Sequence, residues 1–317
     1  EGEPALGDLF AGRPPEEIPQ VVYRSDSGKP VRNEPRQTTT SLEALPFPAW
    51  DLYRLEAYDA ALPIEPLRAC PFACTFCFRA LGRKVVYKSP ERVVDEIEQS
   101  MTRYGVNTFR FLAGTFPLKR EHGVRVFEEI LRRKLDIAWS ASCRVDVFDE
   151  ELLRLMKRSG CTVLQLGIES GDPEILRSSS KGISPEKCIE AARLCKKVGI
   201  KVGLNFILGL PNENRATLFS TFRLAWRMRR YADNANFAIL VPFPGTETYE
   251  MALRNDGGIG LRTQNWPDFG KQAGAALRHD NFADGALQRY QSLFYLLYYL
   301  GTPTKAFRVF SLSRATL

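Results

Sequence analysis

The chain has 317 residues, of which 44% are hydrophobic and 26% charged, and its formal net charge is +7. This composition is typical of a soluble globular protein, and the length predicts about two domains, although a single α/β barrel also reaches this size. Basic residues are scattered along the chain and form no tail. They are therefore interpreted as solvated helix faces, and nucleic acid is not the expected partner.

The cysteine count and the hydropathy bear on the cellular compartment. Seven cysteines are an odd number, and three of them are clustered, which does not fit the disulfide framework of a secreted protein. The most apolar run, residues 293–300, is far too short to span a membrane, and no signal peptide is recognised. We therefore predict a cytoplasmic protein without a membrane span. Because the first residue is Glu1 and not Met, the chain is expected to be a fragment of a longer protein.

Residues 1–60 are predicted to be a linker arm. A short helix is expected before Gly12, followed by a strand at residues 21–24, a turn at 25–28 and a polar connector at 33–41. Residues 45–50 alternate apolar side chains with prolines. This stiff segment, here called the proline clamp, is expected to lie against the next domain.

The cysteines at residues 70–77 have the spacing C-x3-C-x2-C. Thiolates are soft ligands that suit zinc or iron–sulfur clusters. Four thiolates close a structural zinc site or saturate an ordinary cluster, whereas three leave one iron of a cubane open to a ligand that is not protein. The next cysteine, Cys143, is far from this run. The alternative is that the three cysteines form a zinc knuckle or are plain core thiols. A zinc knuckle would need a fourth Cys or His at knuckle spacing, and the sequence has none there.

Residues 61–245 alternate strand and helix signals. Ser89 and Ser184 each precede a Pro-Glu pair and are predicted N-caps, while Gly105 and Gly199 are predicted helix stops. Six strand–helix units in succession predict a parallel sheet with helices outside it, an α/β fold that curls into a barrel or part of one. Functional residues are then expected at the carboxyl ends of the strands. The six predicted strands are residues 64–69, 108–112, 137–142, 162–168, 201–208 and 235–241.

Residues 246–317 are predicted to form a mainly helical C-terminal extension. A helix is expected at residues 247–253 and a loop at 255–258. A second helix is expected to be capped by Asp284 and to run to Leu300, with Gly301 and Pro303 ending it. Its broad apolar face must be covered.

The cysteine spacing, with an aromatic residue directly before the third cysteine, resembles the signature of the radical S-adenosylmethionine (SAM) superfamily. The resemblance implies that Cys70, Cys74 and Cys77 hold a [4Fe-4S] cluster whose fourth iron is chelated by SAM. One electron would then cleave SAM to a 5′-deoxyadenosyl radical that abstracts hydrogen from an organic substrate. It also implies a partial (β/α)6 TIM-like barrel, in agreement with the strand–helix pattern. The cluster and SAM carry this chemistry, so no catalytic side chain is predicted.

The resemblance also implies contacts to the methionine part of SAM. Gly114 is expected to present its backbone to the SAM amino group, although the acids expected beside it are missing. Lys181 would neutralise the SAM carboxylate, with an exposed loop lysine as the alternative. Arg144, which follows Ser142 at the end of the third strand, would pair with a carboxylate or a ribose hydroxyl. The alternative for Arg144 is a salt bridge to Asp146 or Glu169.

Further contacts are implied for the nucleoside. Glu169 would accept hydrogen bonds from ribose hydroxyls or from Arg144, with capping of the following helix as the alternative. Phe76 is expected to present its backbone to the adenine. The passages after the fifth and sixth strands resemble those that enclose the adenine and close the barrel. The expected contact residues there are Gly209, Leu210, Pro211 and Pro242.

Residues 1–3 and the proline clamp resemble the passage that joins a cobalamin-binding domain to the barrel in one subgroup of the family. The cobalamin signature D-x-H-x-x-G is absent, since neither His122 nor His279 has an Asp two residues before it. Cobalamin is therefore expected only with an N-terminal domain that is missing here. With it, the reaction would be a C-methylation, cyclisation or rearrangement.

Two other functions stay open from the sequence. The net charge of +7 motivates a methylthiotransferase-like or other RNA-modifying radical SAM enzyme. A non-catalytic metal-binding protein is the alternative from another class. For the main hypothesis, the expected partners are a small organic substrate and an electron donor such as flavodoxin or ferredoxin.

Overall fold

The computed structural model describes residues 2–35, 41–57, 61–270 and 274–301. Residues 36–40 of the predicted polar connector and the predicted helix stop at Pro303 lie outside these ranges. The strands are β1 (Val22–Arg24), β2 (Pro30–Arg32), β3 (Leu62–Ile64), β4 (Leu67–Arg68), β5 (Val86–Tyr87), β6 (Thr108–Phe111), β7 (Ala138–Cys143), β8 (Cys161–Glu169), β9 (Lys201–Leu208), β10 (Asn234–Ile239), β11 (Ile259–Leu261) and β12 (Leu277–His279).

Helices connect most of these strands. Short 3₁₀ turns occur at Pro15–Glu17, Trp50–Leu52, Leu55–Ala57 and Trp266–Phe269. The α-helices are α1 (Glu3–Phe10), α2 (Pro90–Tyr104), α3 (Arg120–Arg132), α4 (Glu150–Arg158), α5 (Pro173–Ser178), α6 (Pro185–Val198), α7 (Arg215–Met228), α8 (Glu247–Arg254) and α9 (Ala286–Leu300).

The central sheet has six strands in the order β10-β9-β8-β7-β6-β3. All neighbouring pairs are parallel, so the carboxyl ends of the six strands lie at one edge. Successive strands of this sheet are neighbours, and β3 and β10 do not pair with each other. The fold is therefore an open (β/α)6 barrel, as predicted. The edge where the strands end is called the barrel mouth below.

The two faces of the sheet differ in chemistry because side chains alternate along a strand. On β6, Phe111 is buried while Arg110 is exposed. Phe111 belongs to an aromatic cluster under the helices, in which the rings of Phe127 and Trp139 stack at 5.3 Å between centroids. The indole of Trp139 donates to the Ser159 carbonyl at 2.9 Å. The helices thus cover the apolar face, and the other face lines the interior of the barrel.

The predicted helix boundaries are largely confirmed. Ser89 and Ser184 accept hydrogen bonds from the backbone N–H three residues later, which stabilises each helix by about 1 kcal/mol. Gly105 and Gly199 end the same two helices in the left-handed conformation, with φ of 66° and 84°. Local capping chemistry therefore determines where these crossovers begin and end.

The first barrel strand differs from the prediction of residues 64–69. The sheet contains β3, which ends at Ile64, whereas Leu67–Arg68 forms an antiparallel pair with Val86–Tyr87. Pro66 lies between the two strands and has no N–H to donate to a ladder. Its carbonyl instead accepts from the Lys88 N–H at 3.0 Å. The cysteine loop is thus the end of a hairpin whose base is the β4–β5 pair.

The proline clamp packs against α2, as predicted. Arg92 of α2 donates to the Leu45 carbonyl at 2.6 Å, and its guanidinium lies 4.2 Å from the centroid of the Phe47 ring. In the same arm, the strand predicted at residues 21–24 is β1. It pairs with β2, a strand that was not predicted. The clamp is therefore held to the barrel by one arginine that both donates to backbone and stacks on a ring.

The C-terminal extension contains strands as well as helices. Besides α8 and α9 it has an antiparallel pair, β11 with β12. The prediction that Asp284 caps α9 is wrong: Gly285 is the N-cap residue, with φ of 72°, and Asp284 pairs with Arg262 at 2.5 Å. A positive φ costs glycine little, so the chain can turn sharply into the helix there.

Helix α9 covers the exposed edge of the sheet. The hydroxyls of Tyr295 and Tyr299 accept from the N–H groups of Phe237 and Ala235, at 3.0 and 3.1 Å, and Gln291 donates to the Phe237 carbonyl at 2.6 Å. An unpaired edge strand is a template for aggregation unless it is covered. Side chains of α9 therefore substitute for the strand that a closed barrel would have beside β10.

Candidate functional site at the cysteine loop

The cysteine loop is held at its centre as well as at its base. The Thr75 N–H donates to the Ser179 carbonyl at 3.1 Å, and the Thr75 carbonyl accepts from the Thr248 N–H at 3.2 Å. Ser179 follows α5, and Thr248 lies in the first turn of α8. The loop is thus fixed between elements that follow the fourth and sixth strands of the barrel, and it lies at the barrel mouth.

Cys70, Cys74 and Cys77 are free thiols on this loop. Burial raises the pKa of Cys74, and Lys181 and Arg144 counteract that rise. Partial desolvation also raises the pKa of Cys77, although this thiol is on the exposed side of the loop, and the other two thiols add to the rise. All three thiols lie within eight consecutive residues of one loop. Three thiolates this close repel each other unless a metal centre compensates their charge.

The donor set of this loop consists of three soft thiols. Among the described residues, no three His, Cys, Asp or Glu side chains converge as ligands of one metal ion. A cubane cluster does not need that convergence, because each of its cysteine ligands binds a different iron. Three soft thiols on one anchored loop therefore fit an iron–sulfur cluster by their chemistry.

Gly114 lies directly against the first of the three cysteines. A side chain at Gly114 would place its Cβ 3.2 Å from the Cβ of Cys70 and 3.6 Å from its sulfur. The Phe116 N–H donates to the Ser142 carbonyl at 3.0 Å, which ties the loop after β6 to the end of β7. The structure thus brings the backbone predicted to contact SAM next to the predicted cluster ligands.

Glu169 and Lys181 form a buried ion pair at the end of β8. Nζ of Lys181 lies 2.8 Å from Oε1 of Glu169, with 7% and 10% of the two side chains exposed. Burial lowers the pKa of Lys181, but the charge and hydrogen bond of Glu169 outweigh it, and the net pKa is raised. The alternatives are wrong for both residues, since Lys181 is not an exposed loop lysine and Asp172 caps α5. Glu169 is paired with Lys181 and not with Arg144.

Gly167 makes room for this ion pair. A Cβ at Gly167 would lie 2.6 Å from Oε1 of Glu169 and 2.9 Å from Nζ of Lys181. Glu169 itself has φ of 69°, a left-handed conformation that is uncommon for residues other than glycine. The backbone after β8 is thus shaped so that both charged groups lie over Gly167.

Arg144 connects three parts of the site. Its Nε and Nη2 donate to Asp146 at 2.9 and 2.7 Å, and Nη2 also donates to the Lys181 carbonyl at 2.8 Å. Its guanidinium lies 3.9 Å from the centroid of the Phe72 ring on the cysteine loop. The salt bridge to Asp146, one of the alternatives, therefore exists. Nη1 is buried and has no hydrogen-bond partner among the described residues.

The interior of the barrel contains a cavity of about 520 Å³, and Ser142 contributes to its wall. The cavity is open to solvent, and most of the side chains that line it are polar. Sequence reasoning missed the other residues of this wall, although the period-two alternation within each predicted strand could have found them. The lining residues are Arg110, Ser140, Ala141, Ser142, Val163, Gln165 and Asn205.

The passage after β9 is packed under the C-terminal extension. Gly209 has φ of 83°, and a Cβ there would lie 2.7 Å from Leu287 and 3.1 Å from Leu277. Leu210 is fully buried, and its carbonyl lies 3.2 Å from Nε2 of His279. Leu287 and Leu277 explain the glycine without any ligand. The contact of Gly209, Leu210 and Pro211 with adenine stays a prediction.

Glu213, in the same passage, is a functional candidate that the sequence did not single out. It is fully buried, Oε2 accepts from the Gly209 N–H at 2.5 Å, and Oε1 has no partner among the described residues. Burial raises the pKa of Glu213 to about 8, although the N–H groups of Gly209 and Leu210 lower it. The hydrogen bond that the Gly209 N–H donates to this carboxyl links Glu213 to the turn after β9.

The turn after β10 lies beside the cysteine loop. A Cβ at Gly245 would lie 3.1 Å from the ring of Phe78, which follows the third cysteine. Pro242 in this turn is buried, and Phe76 is half-buried against the core. Phe76 is part of the loop itself and Pro242 belongs to the turn beside it, and the contact of both residues with SAM stays a prediction.

The structure thus combines a six-stranded partial β/α barrel with a loop at its mouth that has three free thiols. Residues 64–225, which run from β3 into α7, match the Radical SAM superfamily. The chain belongs to this superfamily.

Two curated relatives of the chain are a methyltransferase and a cyclase. The chain is 36% identical over 265 residues to the uncharacterized methyltransferase PH0819 of Pyrococcus horikoshii, covering 81% of this chain and 56% of that protein. It is 30% identical over 243 residues to the anaerobic magnesium-protoporphyrin IX monomethyl ester cyclase of Rubrivivax gelatinosus, covering 73% and 42%. The chain thus spans about half the length of these curated relatives.

A solved structure supports the fold. The radical SAM methyltransferase TsrM of Kitasatospora setae, determined with cobalamin and a [4Fe-4S] cluster bound, matches with a TM-score of 0.68 and 20% identity, covering 92% of this chain and 60% of that one. At this identity the likeness concerns the fold alone. Within the described residues, no helix combines the length and apolar character that crossing a bilayer requires.

Proposed function

We propose that the chain is the core of a radical SAM enzyme in which Cys70, Cys74 and Cys77 hold a [4Fe-4S] cluster. The observation that carries the proposal is the anchored loop of three free thiols at the barrel mouth, in a chain of the radical SAM superfamily. When bound, the cluster supplies the electron that cleaves SAM to a 5′-deoxyadenosyl radical, which abstracts hydrogen from an organic substrate.

The charged groups beside the loop are assigned to SAM. Arg144 has a buried donor, Nη1, that no described residue accepts from, which suits the carboxylate of the methionine moiety. Lys181 holds one oxygen of Glu169 and leaves Oε2 for a ribose hydroxyl. This pairing makes a direct contact between Lys181 and the SAM carboxylate less favourable. We therefore assign Lys181 the role of a residue that positions Glu169.

Other backbone groups complete the proposed SAM site. Gly114 presents its backbone beside Cys70, where no side chain intervenes. Ser142 is at the end of β7, on the wall of the interior cavity. Phe76, Gly209, Leu210, Pro211 and Pro242 keep their proposed places around the adenine. These apolar residues exclude water from the nucleoside.

We also propose the division into an arm (residues 1–60), a barrel (61–245) and a C-terminal extension (246–317). It is supported by the open sheet, whose last strand, β10, ends before the extension begins. In the whole protein, we propose that a cobalamin-binding domain accompanies the barrel and that the reaction is a C-methylation or a cyclisation. Its support is that a curated methyltransferase and a cyclase are relatives.

The same proposal includes partners and a compartment. The cluster must be reduced by a low-potential donor, for which flavodoxin or ferredoxin is suited, and an exposed thiol such as Cys77 requires the reducing cytoplasm. The methylthiotransferase-like or RNA-modifying alternative has less support, because a methyltransferase and a cyclase are 36% and 30% identical to this chain, whereas a putative methylthiotransferase is 28% identical. A non-catalytic metal-binding role is disfavoured by the superfamily match.

The test is anaerobic reconstitution with iron and sulfide. The wild type is expected to bind about four irons per chain and to release 5′-deoxyadenosine from SAM when dithionite is added. Replacing Cys70, Cys74 and Cys77 by Ala should abolish both. Cys195→Ala is the matched control, since Cys195 is a buried thiol of α6. Zinc in place of iron, or an intact cluster that releases no 5′-deoxyadenosine, would overturn the proposal.

A further inference from the structure

Among the described side chains that line the cavity inside the barrel, one is charged. The lining consists of hydroxyl, amide and small apolar side chains together with Arg110, and it contains no Asp or Glu. Arg110 is exposed within this concave surface. It forms no ion pair or hydrogen bond with any described residue, whereas Arg144 at the barrel mouth is paired with Asp146.

The register of the sheet determines where this cation lies. Arg110 pairs with Ser140 of β7, and Ser140 pairs with Val163 of β8. Ser142 is two residues closer to the barrel mouth, so the backbone of Arg110 is about 6–7 Å deeper than that of Ser142. The backbone of Arg110 therefore lies in the cavity wall below Ser142, the lining residue that is also assigned to the SAM site.

The neighbouring polar groups are arranged as hydrogen-bonding partners for a ligand. A Cβ at Gly203 would lie 2.1 Å from Oε1 of Gln165, so the missing side chain lets the Gln165 amide lie across β9. That oxygen is 3.5 Å from Nδ2 of Asn205, the limit of a hydrogen bond. Nδ2 of Asn205 also donates to the Leu166 carbonyl at 3.4 Å. The Gln165 amide nitrogen, Oδ1 of Asn205 and the Ser140 hydroxyl make no hydrogen bond to another described residue, so they stay available to a ligand.

We propose that this cavity takes the organic substrate and that Arg110 binds an anionic group of it, a carboxylate or a phosphate. The planar fork of a guanidinium matches either oxyanion with two parallel hydrogen bonds. With the anion held at this depth, the opposite end of the substrate points to the barrel mouth, where the thiols are. This substrate class rests on the proposed function, because it takes the cavity to be the place of the reaction.

The test measures binding of three probes that share one aryl group, 2-naphthoate, 2-naphthyl phosphate and the neutral 2-naphthamide. Titration calorimetry at one fixed, low ionic strength needs neither SAM nor a reductant, so its result is independent of whether the cluster forms. The variants are Arg110→Gln and Arg110→Lys. Arg227→Gln is the matched control, because Arg227 is an exposed arginine of α7 with no partner among the described residues.

The wild type is expected to bind at least one anionic probe about tenfold more tightly than the amide. Arg110→Gln should lose that preference, Arg110→Lys should keep part of it, and Arg227→Gln should keep all of it. The relative affinities of naphthoate and naphthyl phosphate tell which oxyanion the wall prefers. SAM affinity, measured by equilibrium dialysis on reconstituted protein, should be the same in Arg110→Gln and the wild type.

Three results would overturn the inference. They are equal binding or no binding of all probes by the wild type, an equal loss in Arg110→Gln and Arg227→Gln, and a loss of SAM affinity in Arg110→Gln. The last result would assign Arg110 to the SAM carboxylate. Failure of the proposed function would appear separately, as absence of 5′-deoxyadenosine with the preference for anionic probes intact.

Discussion

Nζ of Lys181 and Oε1 of Glu169 are 2.8 Å apart, and both side chains are almost completely buried at the barrel mouth. The pair lies over Gly167, whose missing side chain leaves the space for both groups. Removal of one partner from such a pair leaves a buried charge without compensation, which is the basis of the first prediction.

Lys181→Met is expected to lower the free energy of unfolding by about 3–5 kcal/mol, because Glu169 stays buried and unpaired. The double variant Lys181→Met/Glu169→Gln should recover part of this loss. The exposed pair of Lys197 and Glu150, at 2.7 Å, is the control, and Lys197→Met should cost less than about 1 kcal/mol. Urea unfolding at neutral pH measures all three variants. Equal losses for the two lysines would contradict the prediction.

Gly114→Ala is expected to reduce cluster incorporation while leaving the fold intact. The new Cβ would lie 3.2 Å from the Cβ of Cys70, so the cysteine must shift by a few tenths of an ångström. Iron content after reconstitution and circular dichroism are the measurements. Gly270→Ala is the control, because its Cβ meets nothing within 4 Å. The prediction fails if both variants bind the same iron as the wild type.

The buried carboxyl of Glu213 is expected to make the free energy of unfolding depend on pH. Its pKa is raised from 4.5 to about 8 in the folded protein, chiefly by burial and further by the charge of Asp172. The folded state therefore holds a proton that the unfolded state has lost, so the contribution of Glu213 is full below about pH 4.5 and decreases as the pH rises to about 8.

Glu213→Gln keeps the shape of the side chain and cannot ionise. Its free energy of unfolding, compared with that of the wild type, is expected to improve steadily between pH 5 and pH 8. Urea unfolding at several pH values measures the difference. Parallel curves for the two proteins would show that Glu213 is not the responsible group.

Tyr295→Phe is expected to cost about 1–3 kcal/mol, because the Phe237 N–H on the edge strand loses its acceptor. Hydrogen exchange of that amide should become faster. Tyr290→Phe is the control, since Tyr290 is on the same helix and contacts rings through its own ring. Equal exchange at Phe237 in both variants would argue against a capping role for α9.

Much of the fold could be predicted because its signals are local. The six strand–helix units, the Ser89 and Ser184 caps and the Gly105 and Gly199 stops each depend on a few neighbouring residues. The first strand was extended too far, because residues 64–69 look like one strand. Pro66 breaks that strand, and the pairing of Leu67–Arg68 with Val86–Tyr87 is a contact between distant segments.

In the candidate site, too, only the features with local signals could be predicted from the sequence. The cysteine spacing identified the predicted cluster ligands, and it depends on eight consecutive residues. The partners of the charged residues could not be predicted from spacing. Lys181 forms an ion pair with Glu169, and Arg144 donates hydrogen bonds to Asp146 and to the Lys181 carbonyl. Such choices depend on distances between loops that follow different strands.

The sequence by itself determined the order of strands and helices and the position of the thiol loop in that order, since caps, periodicity and cysteine spacing are properties of short segments. The tertiary structure decided which charges are buried together and that Arg110 faces the interior without a partner among the described residues. The physical reason is that burial and charge pairing depend on the packing of residues far apart in the chain, which only the assembled barrel brings within reach.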